Sequence, residues 1–116
     1  MKNKNKPLFL IVDDDDTFRS TIVESSVLND YANVVGLSNC EDAYEFIRTH
    51  QNSIDLVLLD YDFRKYGEGN QMDGLQLLEI IKRNFQHIPV IMMSGITDFR
   101  ENRYTILAKS CSRFLG

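Results

Sequence analysis

The sequence predicts an open, doubly wound α/β domain with five parallel strands, and three observations predict it. Apolar runs of strand length recur along the chain, at 8–12, 32–37, 54–59, 88–93 and 114–115. The runs are apolar throughout instead of alternating, as expected of strands covered on both faces of a parallel sheet. Segments with helical spacing separate them, so the order reads β-α-β-α-β-α-β-α-β, which right-handed crossovers wind into one sheet.

Each element has its own warrant. LFLIV at 8–12 forms the first strand, and the helix after it is expected to place Phe18, Ile22, Val23 and Val27 on one face. ANVVGL at 32–37 follows as the second strand. Ser38, three residues before Glu41, has the capping-box pattern for the second helix, whose apolar face is Ala43, Phe46 and Ile47. IDLVLL at 54–59 is the third strand. Asp73, with Gln76 three residues on, is the expected cap of the third helix, and Leu77, Leu78, Ile81 and Phe85 form its apolar stripe. IPVIMM at 88–93 is the fourth strand. A fourth helix over 97–109 carries a sparser stripe of Tyr104, Leu107 and Ala108, and Phe114 and Leu115 belong to the fifth strand. No fifth helix follows within these residues, so one sheet face is expected to be covered by further chain or by a partner, with a homodimer through that face as one form.

Composition narrows the function. At 116 residues and 43% hydrophobic content the chain fits one domain with an ordinary core. A net charge of −4 and a pI near 5.1 argue against direct nucleic-acid binding, which requires clustered basic excess. No apolar run approaches the roughly 18–20 residues of a membrane span, and MKNKNKP has no apolar signal-peptide core, so a cytoplasmic protein is expected. Cys40 and Cys111 have no metal-type neighbours in sequence and read as reduced, partly buried thiols.

Ligands of open α/β sheets bind beyond the carboxyl ends of the strands. The residues there are Asp13 to Asp16 after the first strand, Asp60 and Asp62 after the third, and Ser94 with Gly95 after the fourth. Converging carboxylates repel unless a cation lies among them, and an all-oxygen donor set suits a hard ion such as Mg2+. Asp15 and Asp16 are also explained as acids favoured at a helix N-terminus. Asp13 is not, because it runs straight on from an apolar strand. Asp60 ends what should be a central strand, which makes it a nucleophile candidate: an aspartate oxygen accepts a phosphoryl group when Mg2+ neutralises the incoming charge. Ser94 is placed to donate a hydrogen bond to that group, and Gly95 lets its own N–H come close. His50 and His87 fall at the end of a helix and before a strand, away from this edge.

FLIVDDDDTFR, IDLVLLDYD, MDGLQLLEIIKR, IPVIMMSG and SCSRFLG, in this order and nearly end to end, resemble the receiver domain of two-component response regulators. The resemblance implies a flavodoxin-like receiver fold, with Asp13 and Asp14 as the acidic pair for Mg2+, Asp60 as phospho-acceptor and the backbone carbonyl of Asp62 as a further ligand. It implies that Ser94 is the switch hydroxyl and Phe114 the switch aromatic, moving together in a population shift that alters a partner surface. The implied partners are a sensor histidine kinase or phosphotransfer protein upstream and an effector protein or domain downstream. Such a domain assists its own phosphorylation and dephosphorylation and is not a turnover enzyme.

Two departures stand out. YDFRKYGEGNQ between Asp60 and Met72 is about six residues longer than the family's usual turn and lacks its proline, so it is expected to be either a lid or partner contact beside the site or a tolerated surface insertion. The family's lysine after the fifth strand would be residue 117, one past Gly116, so the sequence is expected to be a truncated receiver. Lys109 is not its counterpart; it falls in a last helical turn, where cations are favoured.

Two competing functions are weighed against this one. A haloacid-dehalogenase-type phosphohydrolase would use Asp13 as nucleophile, Asp15 as general acid, Thr17 in the motif and Lys109 at the phosphate, but too few residues remain after Lys109 for its last acidic strand, and Asp60 is left idle. A phosphorylation-independent, receiver-like interaction module would explain the missing lysine but not the assembled set of Asp13, Asp14, Asp60 and Ser94.

Overall fold

A computed structural model describes residues 5–60 and 72–93. Among them lie four parallel strands, β1 (Leu8–Val12), β2 (Asn33–Leu37), β3 (Leu56–Asp60) and β4 (Val90–Met93), and four helices, α1 (Asp16–Val23), α2 (Ser26–Tyr31), α3 (Cys40–His50) and α4 (Gly74–Asn84). The expected fourth helix at 97–109 and the fifth strand at 114–115 lie outside the described residues.

The strands pair in the order β2-β1-β3-β4, all in parallel. From β1 the chain steps outward to β2 and then returns across β1 to β3 and β4. With right-handed crossovers, that reversal puts α1 on one face of the sheet and α3 and α4 on the other. The α3/α4 face holds the core: Leu10, Val12, Val57, Leu59 and Val90 from the strands pack with Ala43, Ile47, Leu77, Leu78 and Ile81 from the helices. Ile11, which alternation turns to the α1 face, is fully buried as well.

Burial is less even than the apolar runs suggest. β1 is buried at four of its five positions, β3 alternates between buried Val57 and Leu59 and half-buried Leu56, Leu58 and Asp60, and β2 is half-buried throughout. An edge strand has only one neighbour to cover it.

Helix starts follow side-chain chemistry. Asp73 accepts from the N–H of Gln76 at 2.8 Å, and Gln76 returns a bond to the N–H of Asp73 at 2.8 Å, so the expected capping box is present. The cap of α3 differs from expectation: Asn39, not Ser38, accepts from the N–H of Asp42 at 2.7 Å. Glu41 is thereby released from a capping role, and its carboxylate accepts from the N–H of Met72 at 2.6 Å.

The first helix also differs, because it is two helices. Ser25 caps α2 by accepting from the N–H of Leu28 at 3.1 Å. The Asn29 amide donates to the carbonyls of Val23 at 2.8 Å and Ser25 at 2.7 Å. Serine and asparagine compete in this way for main-chain groups that a continuous helix would use itself. The break turns Val27 out of the expected stripe, and it is 69% exposed, whereas Phe18, Ile22 and Val23 are half-buried. Where α1 crosses β2 the approach is close: a Cβ at Gly36 would lie 2.8 Å from Val23 Cγ2 and 3.0 Å from Arg19 Cγ. Only glycine fits there without a shift.

Candidate functional site

The order of strand addition reverses between β1 and β3, and at such a switch point the connections diverge to opposite faces and leave a crevice. Asp13 and Asp14 follow β1, and Asp60 is the last residue of β3, one position later than the expected strand end. The three residues offer carboxylate oxygens that all lie within 4.8 Å of one another. Asp13 is buried, at 6% exposure, Asp14 and Asp60 are half-buried, and Asp14 Oδ1 is shut off from solvent.

The turn that carries the acidic pair is bonded at several points. The main-chain N–H of Asp13 donates to the Leu37 carbonyl at 3.1 Å, and its Oδ1 accepts from the N–H of Asp15 at 2.9 Å. Asp15 caps α1, accepting from the N–H of Phe18 at 3.0 Å, and Asp16 pairs with Arg19. The four consecutive aspartates therefore divide by role: Asp13 and Asp14 face the crevice, while Asp15 and Asp16 start the helix.

Two unit negative charges at this separation repel by roughly 3.5 kcal/mol at an effective dielectric of about 20. A divalent cation relieves that repulsion. Oxygens already gathered within 4.8 Å of one another would draw closer to hold one hard ion, whose oxygen ligands lie at about 2.1 Å. Every donor is an oxygen, the ligand type of a hard cation such as Mg2+, and water and phosphoryl oxygens would fill the positions the carboxylates leave.

Cys40 is close enough to this site for its charges to reach the thiol. It is fully buried at the start of α3. Burial pushes its thiol up to about 12, and the negative charges of Glu41, Asp73, Asp60 and Asp14 push the same way. The thiol is therefore a small apolar core group, in keeping with the expectation for a reduced cysteine. The folded pKa stands above the ordinary 9.0, so the contribution to stability is intact below pH 9 and is lost as pH rises from about 9 to about 12. In a Cys111→Ser background, Cys40 is expected to react with iodoacetamide at neutral pH only when the chain unfolds. Labelling of the folded chain at the rate of a free thiol would show that the site is open.

Both histidines lie away from the crevice, as expected. His50 stacks on Phe46 with ring centroids 4.2 Å apart, and His87 Nε2 lies 3.1 Å from the Gln51 carbonyl. Met93 pairs with Asp60 across β3 and β4. Asp62, Ser94, Gly95, Lys109, Cys111 and Phe114 lie outside the described residues. Sequence reasoning passed over Arg19 and Gly36, which brace the acidic turn. The available signal was weak, since an arginine three residues after an acid in a first helical turn ordinarily reads as a solvated ion pair.

Among the described residues no helix is long and apolar enough to cross a membrane. The family model of the response regulator receiver domain matches residues 9–115. A response regulator NtrX-like protein of Rickettsia bellii is 33% identical over 87 residues, covering 74% of this chain and 16% of that protein. A 3',5'-cyclic-nucleotide phosphodiesterase, regA, of Dictyostelium discoideum is 36% identical over 93 residues, covering 78% of this chain and 11% of that protein. The chain thus spans only a small part of the relatives it matches. The crystal structure of a response regulator receiver domain protein from Clostridium thermocellum superposes with a TM-score of 0.70 at 25% identity, covering 89% of this chain and 74% of that one. Strand order, the acidic crevice at the switch point and the match over 9–115 lead to one conclusion: the chain belongs to the response regulator receiver domain family.

Proposed function

We propose that this receiver domain takes up a phosphoryl group on Asp60, with Asp13, Asp14 and Asp60 holding Mg2+. The observation that carries the reading is the convergence of these three carboxylates within 4.8 Å at the strand-order switch. A carboxylate oxygen of Asp60 attacks phosphorus, the bond from phosphorus to the donor nitrogen of a phosphohistidine breaks, and the departing imidazole takes a proton from solvent. When bound, Mg2+ neutralises charge on the incoming phosphoryl oxygens and the acceptor carboxylate. Water later hydrolyses the aspartyl phosphate, so the domain serves as a timed switch and not as a turnover enzyme.

The remaining assignments belong to the same reading. The Asp62 carbonyl is assigned as a further ligand, the Gly95 main-chain N–H as a donor to the phosphoryl group, and Ser94 and Phe114 as the switch pair. A sensor histidine kinase or phosphotransfer protein is the donor, and an effector protein or domain reads the altered surface in a cytoplasmic setting.

Calorimetric Mg2+ titration tests the metal site. Asp14→Ala is expected to raise the Kd at least about tenfold, or about 1.4 kcal/mol, with the fold retained. An unchanged titration would remove Asp14 from the site. Incubation with phosphoramidate and Mg2+ should add one phosphoryl group to the intact mass, and a chain that binds Mg2+ without that gain would be a phosphorylation-independent module.

A further inference from the structure

The acidic turn brings mutually repelling carboxylates together, and several contacts hold its main chain. Arg19 supplies one of them from a side chain. Its Nη1 donates to the main-chain carbonyl of Asp13 at 2.7 Å, and its Nη2 donates to Asp16 Oδ1. The side chain is only 18% exposed, against 84% for Asp16. Its stem lies across Gly36 of β2, where a Cβ would be 3.0 Å from Cγ and 3.2 Å from Cδ. One residue on from Gly36, the Leu37 carbonyl accepts the N–H of Asp13 at 3.1 Å. Asp13 is therefore held at its N–H by β2 and at its carbonyl by Arg19, and Arg19 itself rests on β2 and is tied to α1.

We infer that Arg19 is a positioning residue for divalent-cation binding: its bond to the Asp13 carbonyl keeps the Asp13 and Asp14 carboxylates converged on Asp60. The inference rests on the Mg2+ role proposed for those three residues. Charge and positioning predict opposite signs. By charge alone, a guanidinium repels an incoming cation, so its removal should tighten Mg2+ binding. By positioning, its removal lets the turn relax and weakens binding, and loss of a group that orients metal ligands typically costs about 10–100-fold in affinity.

Two variants of the full 116-residue chain separate these effects. Arg19→Met keeps an unbranched stem over Gly36 and removes both donors; Arg19→Lys keeps the charge but loses the fork that reaches two acceptors at once. Mg2+ Kd is measured by calorimetry and the fold by circular dichroism and Tm without Mg2+. Arg19→Met is expected to raise the Kd about tenfold or more and Arg19→Lys by less, and saturating Mg2+ should return phosphoramidate labelling to the parent rate. An unchanged or lower Kd in folded Arg19→Met overturns the inference. Should Arg19→Met not fold, the Lys variant decides: a raised Kd supports the inference and an unchanged Kd overturns it. A parent chain that does not bind Mg2+ would instead sink the proposed metal site itself.

Discussion

Asp60→Asn is expected to abolish phosphoryl labelling by phosphoramidate and Mg2+ while leaving the sheet intact. The substitution conserves shape at the end of β3, where Asp60 is half-buried and pairs with Met93, but the amide has no anionic oxygen to attack phosphorus. Stability should hold or rise, because one of three mutually repelling carboxylates is lost. Intact mass, read beside circular dichroism, reports both effects at once. Labelling that persists in the folded variant would move the acceptor to another residue, and Asp13, the nucleophile of the phosphohydrolase alternative, would be the first to check.

The second large effect concerns the core. Leu77 is fully buried on α4 and packs in the cluster formed with β1, β3, β4 and α3. Leu77→Ala removes its branched end and leaves a cavity, which typically costs about 2–5 kcal/mol. Against a total stability of about 5–15 kcal/mol, that is a major loss, and Tm should fall by about 10–25 °C. Leu75, two residues earlier on the same helix and 36% exposed, is the control, with an expected change within about 0.5 kcal/mol. Equal losses at both positions in urea unfolding would mean that α4 does not present the face described.

Much of this was legible in the sequence because the signals were local. Apolar runs reported the four described strands to within two residues, and the Asp73/Gln76 spacing reported the start of α4. The acidic trio was legible for a related reason: a carboxylate directly after an apolar strand can only emerge at the strand's carboxyl end, and Asp13 and Asp60 both do so.

Errors arose where side chains competed for the same main-chain groups. Ser38 and Asn39 are both good caps, and only the geometry of the turn from β2 into α3 gave the role to Asn39. Phe18, Ile22, Val23 and Val27 share a helical face on paper, but hydrogen bonds from Asn29 and the Ser25 cap break the helix before Val27.

By itself, then, the sequence determined which of the described segments are strands, that Asp13 and Asp60 lie at strand ends, and that a parallel sheet with a hard-cation site was to be expected. Hydrophobic periodicity and backbone capping act over a few residues, so the linear text records them. Tertiary structure alone decided that Asp13, Asp14 and Asp60 converge within 4.8 Å, that Gly36 lets α1 lie close on β2, and that Arg19 spans that crossing to hold the Asp13 carbonyl. These contacts join residues on different elements, and their energies depend on how the elements pack, which no local pattern in the chain encodes.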